Sequence, residues 1–251
     1  MNKNIANPIV RILTTDSTNN YANQQIKENN LAEGTVFLTY DQTSGRGQMK
    51  NFWESEPDKN LTFSLVLYPD FLEIRRQFML SKVVTLGIYK ALHQYIDQLK
   101  IKWPNDIYSE NQKLGGILIE NSIMSGKLKS TVAGIGLNVN QTVFRSLAPN
   151  PVSLQILTNQ HYDCEQLLTE VLSGINGYYA MLKQGKEAEI DQAFTRVLYR
   201  LNEKHRFKTE DEVFTGEITG VNEIGQLLIR KEDGQMLDFH FKEVEFLQDG
   251  H

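Results

Sequence analysis

After Asn202 the chain changes texture, and that change limits its fold more than any other feature. Before it, strand-like runs alternate with helical patterns. After it come only short β-favouring runs, at 213–221, 226–230 and 235–241, separated by the turns Asn222-Glu223-Ile224-Gly225 and Glu232-Asp233-Gly234. Alternating element types imply an α/β (α+β) domain in which helices flank a mixed sheet, while a strand-only tail of roughly 45 residues implies a small β-barrel or meander. The expected division is 1–203 and 204–251, and 251 residues suffice for one large domain plus a small one.

Within the first part, 9–13 reads as a strand. Asp16-Ser17-Thr18 supplies N-cap chemistry for a helix to about residue 28. Strands are expected at 35–40 and 61–67, the latter stopped by Pro69 and preceded by a polar, glycine-bearing loop over 41–59. Apolar residues at three- and four-residue spacing predict a long helix over 71–96. A short strand at 101–103 ends at Pro104. Strands at 114–119 and 131–139 are joined by a turn through Ser125-Gly126, and helical patterns cover 164–182 and 187–201.

The net charge of −5 argues against a general polyanion binder. With Cys164 as its single cysteine, the chain can form no internal disulfide and no multi-cysteine zinc site; an inert, half-buried thiol is expected there. Residues 1–7 are polar and carry no signal-peptide core. Apolar stretches are broken by charge well short of the ~18 residues of a membrane span. The expected compartment is the cytoplasm.

Three segments carry chemistry. Ser44-Gly45-Arg46-Gly47-Gln48 follows a strand, and its glycines allow sharp turning and close approach of backbone N–H groups to an anion. Arg46 adds a planar fork suited to phosphate or carboxylate, and Lys50 a second positive charge. A flexible surface loop has the same composition, and no Walker sequence follows. Lys102-Trp103-Pro104-Asn105-Asp106 presents Asn105 and Asp106 from a proline-fixed turn, where a carboxylate could hold Mg²⁺ or orient an amine, or simply belong to a turn. Lys113-Leu114-Gly115-Gly116-Ile117-Leu118-Ile119-Glu120 opens a strand with a lysine and two glycines that permit close approach of a ligand or a strand.

Together with Asp16-Ser17-Thr18-Asn19, Asp41-Gln42-Thr43 and Gly134-Ile135-Gly136-Leu137-Asn138-Val139-Asn140, these segments resemble, in order, the catalytic module of biotin–protein ligases (biotin–[acetyl-CoA-carboxylase] ligases). The tail resembles the SH3-like module that ends family members. The resemblance implies a class II synthetase-like catalytic domain followed by an SH3-like β-barrel. It also implies two chemical steps: the biotin carboxylate attacks the α-phosphate of Mg²⁺-bound ATP, and the resulting biotinyl-5′-AMP is attacked by a lysine of a biotin carboxyl carrier protein or domain. By the same resemblance Ser17, Thr18 and Gln42 meet the polar head of biotin, while Gly45, Arg46 and Gly47 wrap its carboxylate and the phosphate. Lys113 neutralises their junction, and Gly116, Gly134 and Gly136 give close backbone approach. Gln48, Lys50 and Trp53 join the ATP site, where Asn105 and Asn138 help place the nucleotide and its metal. Asp106 lies near the entering amine, as a base or only as an orienting group. The implied catalytic set is Arg46, Lys113 and Asp106, with no protein metal cluster. A homodimer through the catalytic sheet and a monomer are both compatible. The terminal module either grips ATP or acceptor, or only packs as a lid.

The chain departs from the family pattern in places. Gln48 stands where arginine is frequent, and Lys50 where glycine is usual. If that position needs positive φ, lysine costs roughly 1 kcal/mol, and we expect Lys50 to restore some of the missing charge. Asn150-Pro151-Val152 precedes Ser153-Leu154-Gln155 where some members carry an adenine-stacking tryptophan, so adenine must stack elsewhere. With Asp16-Ser17-Thr18-Asn19 so early, no preceding DNA-binding domain is expected, and no nucleic-acid or membrane partner is expected either. Rival readings are a lipoate- or octanoate-protein ligase and a non-catalytic small-molecule sensor on the same scaffold. The polar residues Ser17, Thr18 and Gln42 favour biotin over a longer apolar acid, and retained Arg46, Asp106 and Lys113 speak against a sensor.

Overall fold

The structure, a computed structural model, describes residues 8–48, 51–145 and 150–247. In chain order the first part contains β1 (Ile9–Thr15), α1 (Thr18–Glu28), β2 (Val36–Gln42), the short β3 (Gly45–Arg46) and β4 (Phe52–Trp53), β5 (Leu61–Leu67) and α2 (Phe78–Leu92). There follow β6 (Leu99–Lys102), β7 (Asp106–Ser109), β8 (Gln112–Met124), β9 (Lys127–Leu137), α3 (Leu154–Thr158), α4 (Cys164–Lys183) and α5 (Glu187–Arg196). Seven of the strands form one mixed sheet in the order β1-β2-β5-β9-β8-β7-β6, in which only β1 and β2 run parallel.

Alternation along each strand divides the apolar residues between two faces. Val36 and Leu38 of β2, Leu65 and Leu67 of β5 and Ala133 of β9 enter the main core with α2 and α4. Phe37, Val66 and Val132 point the other way, against Ala22 of α1. Every residue of β5 is therefore buried, as expected of a central strand covered on both faces. Helices α2 and α4 approach each other through glycines. A Cβ on Gly174 would sit 2.3 Å from the carbonyl oxygen of Gly87.

The predicted helix over 71–96 is shorter than its apolar pattern. A 3₁₀ turn, Ile74–Arg76, precedes α2, and the α-helix ends at Leu92. Ile96 is still buried, but reaches the core through the turn that follows. The helix expected over 187–201 likewise stops at Arg196, because the chain crosses toward a second sheet: Leu198 bridges Ile101, and Leu201 bridges Ile218.

That second sheet holds β10 (Lys204–Lys208), β11 (Val213–Val221), β12 (Leu227–Lys231), β13 (Met236–Phe239) and β14 (Glu245–Phe246), antiparallel in the order β13-β12-β11-β10-β14. This is the small strand-only module expected. Among the described residues its pairing order is open, with no ladder from β13 to β14. Strand β11 alternates buried and less buried positions along its length, as one packed face requires. Phe207, Ile218, Leu227 and Ile229 join the same core as the large sheet. Trp103, in the turn after β6, donates its indole N–H to the carbonyl oxygen of Gly225 at 2.9 Å and packs edge-on against Phe241.

Candidate active site

A cavity of about 740 Å³ lies between the large sheet, the start of α1, the β3–β4 hairpin and the end of the small sheet. That volume suits a small-molecule site. Its floor includes Gly116 of β8 and Gly134 and Gly136 of β9. The two glycines of β9 have a steric reason. A Cβ at Gly134 would meet Asn19 Oδ1 at 2.3 Å, and one at Gly136 would meet the Trp53 indole at 2.4 Å.

One end is lined by neutral polar groups. Ser17 is the N-cap residue of α1, and its side chain makes no capping bond. Gln42 Oε1 accepts from the Thr18 N–H at 2.9 Å. Ser64 Oγ lies 2.8 Å from Thr18 Oγ1 and 2.6 Å from Asn19 Oδ1. Ser17, Thr18, Asn19, Gln42 and Ser64 are all buried, so their orientation is set by one another rather than by water.

The charged groups stand beside the glycines. Lys113 enters at the start of β8 and Asp106 begins β7, and their Nζ and Oδ2 atoms are 2.8 Å apart. Gly116 pairs with Asp106 in the ladder, and its missing side chain keeps the space over both groups open. The Lys113 ammonium also lies 6.0 Å from the centre of the Trp53 ring. Arg46 lines the cavity rim, where its guanidinium is bound to Glu120 and Asn20. Glu120 in turn accepts from Asn19 and Asn23, each at 3.0 Å.

Several lining atoms await a partner. Gln48 Oε1, Trp53 Nε1 and Thr62 Oγ1 are buried with no hydrogen bond among the described residues. Buried polar atoms are nearly always satisfied, so such a cluster in one cavity is what a ligand-binding wall presents. Gly47 and Asn105 also line the cavity, although Asn105 spends its Nδ2 on the Ile117 carbonyl. Gly45 and Asn138 do not line it. Gly45 is packed under Trp53 and Gln42, and Asn138 donates to the Val152 carbonyl at 3.0 Å while its Oδ1 has no partner. Lys50 lies outside the described residues. The segment from Asn150 pairs with the start of β8 through Lys113 N–H to Asn150 O at 2.8 Å, which brings Asn150 to the cavity edge.

Thr62, Tyr108, Tyr199 and Arg200 also line the cavity and carry no motif signal; Lys102, the first residue of the motif over 102–106, lines it too. Lys102 Nζ is 4.7 Å from the Tyr108 ring centre and 5.1 Å from that of Phe246. Burial lowers its pKa below that of an ordinary lysine, against the opposing pull of Asp106. Cys164 lies outside the cavity. Burial, with Asp163 and Glu165 adding, pushes its thiol up to about 11, as an inert cysteine requires. Among the described residues no group of three or more His, Cys, Asp or Glu could hold a metal, and no helix is long and apolar enough to cross a membrane.

Comparison with known proteins agrees with this geometry. The Biotin/lipoate A/B protein ligase family matches residues 12–138. A "Biotin--[acetyl-CoA-carboxylase] ligase" of Paracoccus denitrificans is 29% identical over 230 residues, covering 89% of this chain and 94% of that protein. The "Bifunctional ligase/repressor BirA" of Bacillus spizizenii is 26% identical over 214 residues; the alignment covers 84% of this chain but 66% of that relative. The solved biotin protein ligase from Aquifex aeolicus in complex with biotin and ATP superposes with a TM-score of 0.80 at 26% identity, covering 97% of this chain and all of that one. The chain belongs to the biotin/lipoate A/B protein ligase family.

Proposed function

We propose that this chain is an ATP-dependent biotin–protein ligase that forms biotinyl-5′-AMP and transfers biotin to a lysine of a biotin carboxyl carrier protein or domain. The observation that carries the proposal is the convergence of Lys113, Asp106 and Arg46 with the neutral set Ser17, Thr18 and Gln42 on one glycine-floored cavity. The Paracoccus relative's name and the biotin- and ATP-bound Aquifex structure support the same reading.

In the first step a carboxylate oxygen forms a bond to the α-phosphorus and the bond to the bridging oxygen breaks, with pyrophosphate leaving. Two anions must meet, so the Lys113 ammonium and the Arg46 guanidinium lower the barrier by offsetting charge where it gathers. Mg²⁺ would supply further charge neutralisation on the phosphate oxygens. The neutral groups hold the other end of the acid, and fixed placement contributes much of the remaining acceleration. In the second step the acceptor amine attacks the acyl carbon and AMP leaves. Asp106 takes the amine proton or orients the amine. The division into a catalytic part, 1–203, and an accessory part, 204–251, belongs to the same proposal.

The test is acid-dependent adenylate formation. Purified protein with Mg-ATP and biotin should release pyrophosphate and form biotinyl-AMP, read by mass spectrometry. Adenylate with lipoate or octanoate instead would move the chain to the other branch of its family. No adenylate with any of the acids would leave a sensor as the better reading.

A further inference from the structure

We propose that Glu120 is a positioning residue for the adenylating step: it holds the Arg46 guanidinium at the cavity rim, set in advance to meet an anion. This rests on the adenylating reaction above.

The first observation is reach. Arg46 lines the cavity, and Glu120 does not. Glu120 lies four residues beyond Gly116 on β8, on the same face of the strand and roughly 14 Å further along it. A carboxylate so placed acts on a bound ligand through Arg46.

The second is how Arg46 is held. One terminal nitrogen donates to Glu120 Oε1 and the other to Asn20 Oδ1. Two of the five N–H donors of the fork are used this way, and among the described residues the others have no partner. Asn20 in turn donates from Nδ2 to Asp16 Oδ2 at 2.8 Å, which turns its own oxygen toward Arg46. A free arginine side chain samples many rotamers, and fixing one of them costs on the order of tenfold in an equilibrium or a rate. Here Glu120 and Asn20 fix it before any ligand arrives.

The third is how Glu120 is held. Its other oxygen, Oε2, accepts from Asn19 and Asn23 at 3.0 Å each. These two stand four residues apart on α1 and so share a face of the helix. Asn19 also donates to the Leu118 carbonyl at 3.2 Å, and its Oδ1 lies 2.6 Å from Ser64 Oγ. Ser64 continues the chain of hydrogen bonds to Thr18. The grip on Arg46 is thereby tied to the neutral end of the cavity, through donors that a carboxylate serving only to balance the Arg46 charge would not require.

The charge of Glu120 acts in the opposite sense, because a carboxylate repels an incoming anion. The pair stands at the rim, partly open to water, so that repulsion is screened. The direction given to Arg46 outweighs it, and loss of Glu120 slows the reaction rather than speeding it.

The experiment uses the full chain and single-turnover adenylate formation from biotin and Mg-ATP. Glu120→Ala should lower the rate about tenfold. Glu120→Gln keeps an oxygen for Arg46 and should lower it only about threefold. Biotin affinity should stay within about twofold, transfer from preformed biotinyl-AMP should not change, and in an Arg46→Ala background Glu120→Ala should have no further effect. Labelling of guanidinium groups with phenylglyoxal, read by mass spectrometry, should modify Arg46 about tenfold faster in Glu120→Ala, with the exposed Arg75 unchanged as reference. A faster adenylation rate in either Glu120 variant overturns the proposal and makes Glu120 a latch on Arg46. Further slowing in the Arg46→Ala background overturns it too, as does an equal loss of biotin affinity. If the parent adenylates no acid, the ligase reading fails while the labelling still decides the grip: unchanged labelling of Arg46 shows that Glu120 does not hold it.

Discussion

The Lys113 ammonium lies 2.8 Å from Asp106 Oδ2, so the cation expected at the reacting junction is already paired with the carboxylate expected at the amine. Entry of an anion must pull the pair apart or share the lysine. Asp106→Asn should therefore leave adenylate formation intact or faster, while slowing transfer to acceptor on the order of 100-fold. Lys113→Met should slow adenylate formation on the order of 100-fold or more. Single-turnover measurements of each step separate the two, and equal effects on both steps would contradict this division of labour.

Arg46 is tied to Glu120 at the rim, with side chains 42% and 28% exposed. Exposed pairs of this kind contribute roughly 0–1 kcal/mol to stability. Arg46→Ala should thus shift the Tm by little and slow adenylate formation by about 100-fold. Thermal unfolding beside a pyrophosphate-release assay tests both halves; a large Tm loss would make Arg46 a structural residue.

Gly174 and Gly87, neither of which lines the cavity, bring α2 and α4 into backbone contact. A methyl group at Gly174 has only backbone to push against. Gly174→Ala should cost about 2–3 kcal/mol in urea unfolding, with the KM for biotin and ATP unchanged in the folded fraction. A stability within error of the parent would mean the helices separate freely.

Glu33 predicts a pH dependence. Burial alone raises its pKa, but hydrogen bonds from Lys183, Tyr179 and the Tyr68 N–H outweigh burial and hold it below 4.5. A carboxyl with a depressed folded pKa adds stability that is present above the unfolded value and is lost as pH falls through the folded one. Glu33→Gln should therefore be less stable than the parent by roughly 1–2 kcal/mol at pH 7, and the gap should close below pH 4.5. A gap constant from pH 7 to pH 3 would rule this out.

Strand β5 was legible because seven consecutive β-favouring residues fill both faces of the sheet's centre. Strand β10 was not, because Lys204, His205 and Arg206 precede its one buried residue, Phe207, Lys208 follows it, and the run reads as loop. The long helix was overextended since Ile96 is apolar for the core but reaches it from a turn. Lys113, Asp106 and Arg46, which line the cavity, are legible as candidates because each stands in a short motif that also holds glycine or proline. Tyr199 and Arg200 were invisible: they follow a helix end, and only the crossing into the second sheet brings them to Lys102. Glu120 ends the motif over 113–120, yet its grip on Arg46 arises only where β3 meets β8 in the fold.

The cavity wall draws on residues from Ser17 to Leu247, so it exists only when the large and small sheets are docked. A molecule bound there is consequently a clasp on the whole polypeptide. At a hundred times its Kd it would stabilise the folded state by about 2.7 kcal/mol. A cell short of that molecule would then hold a protein that opens more often, and proteases would register the shortage before catalysis did.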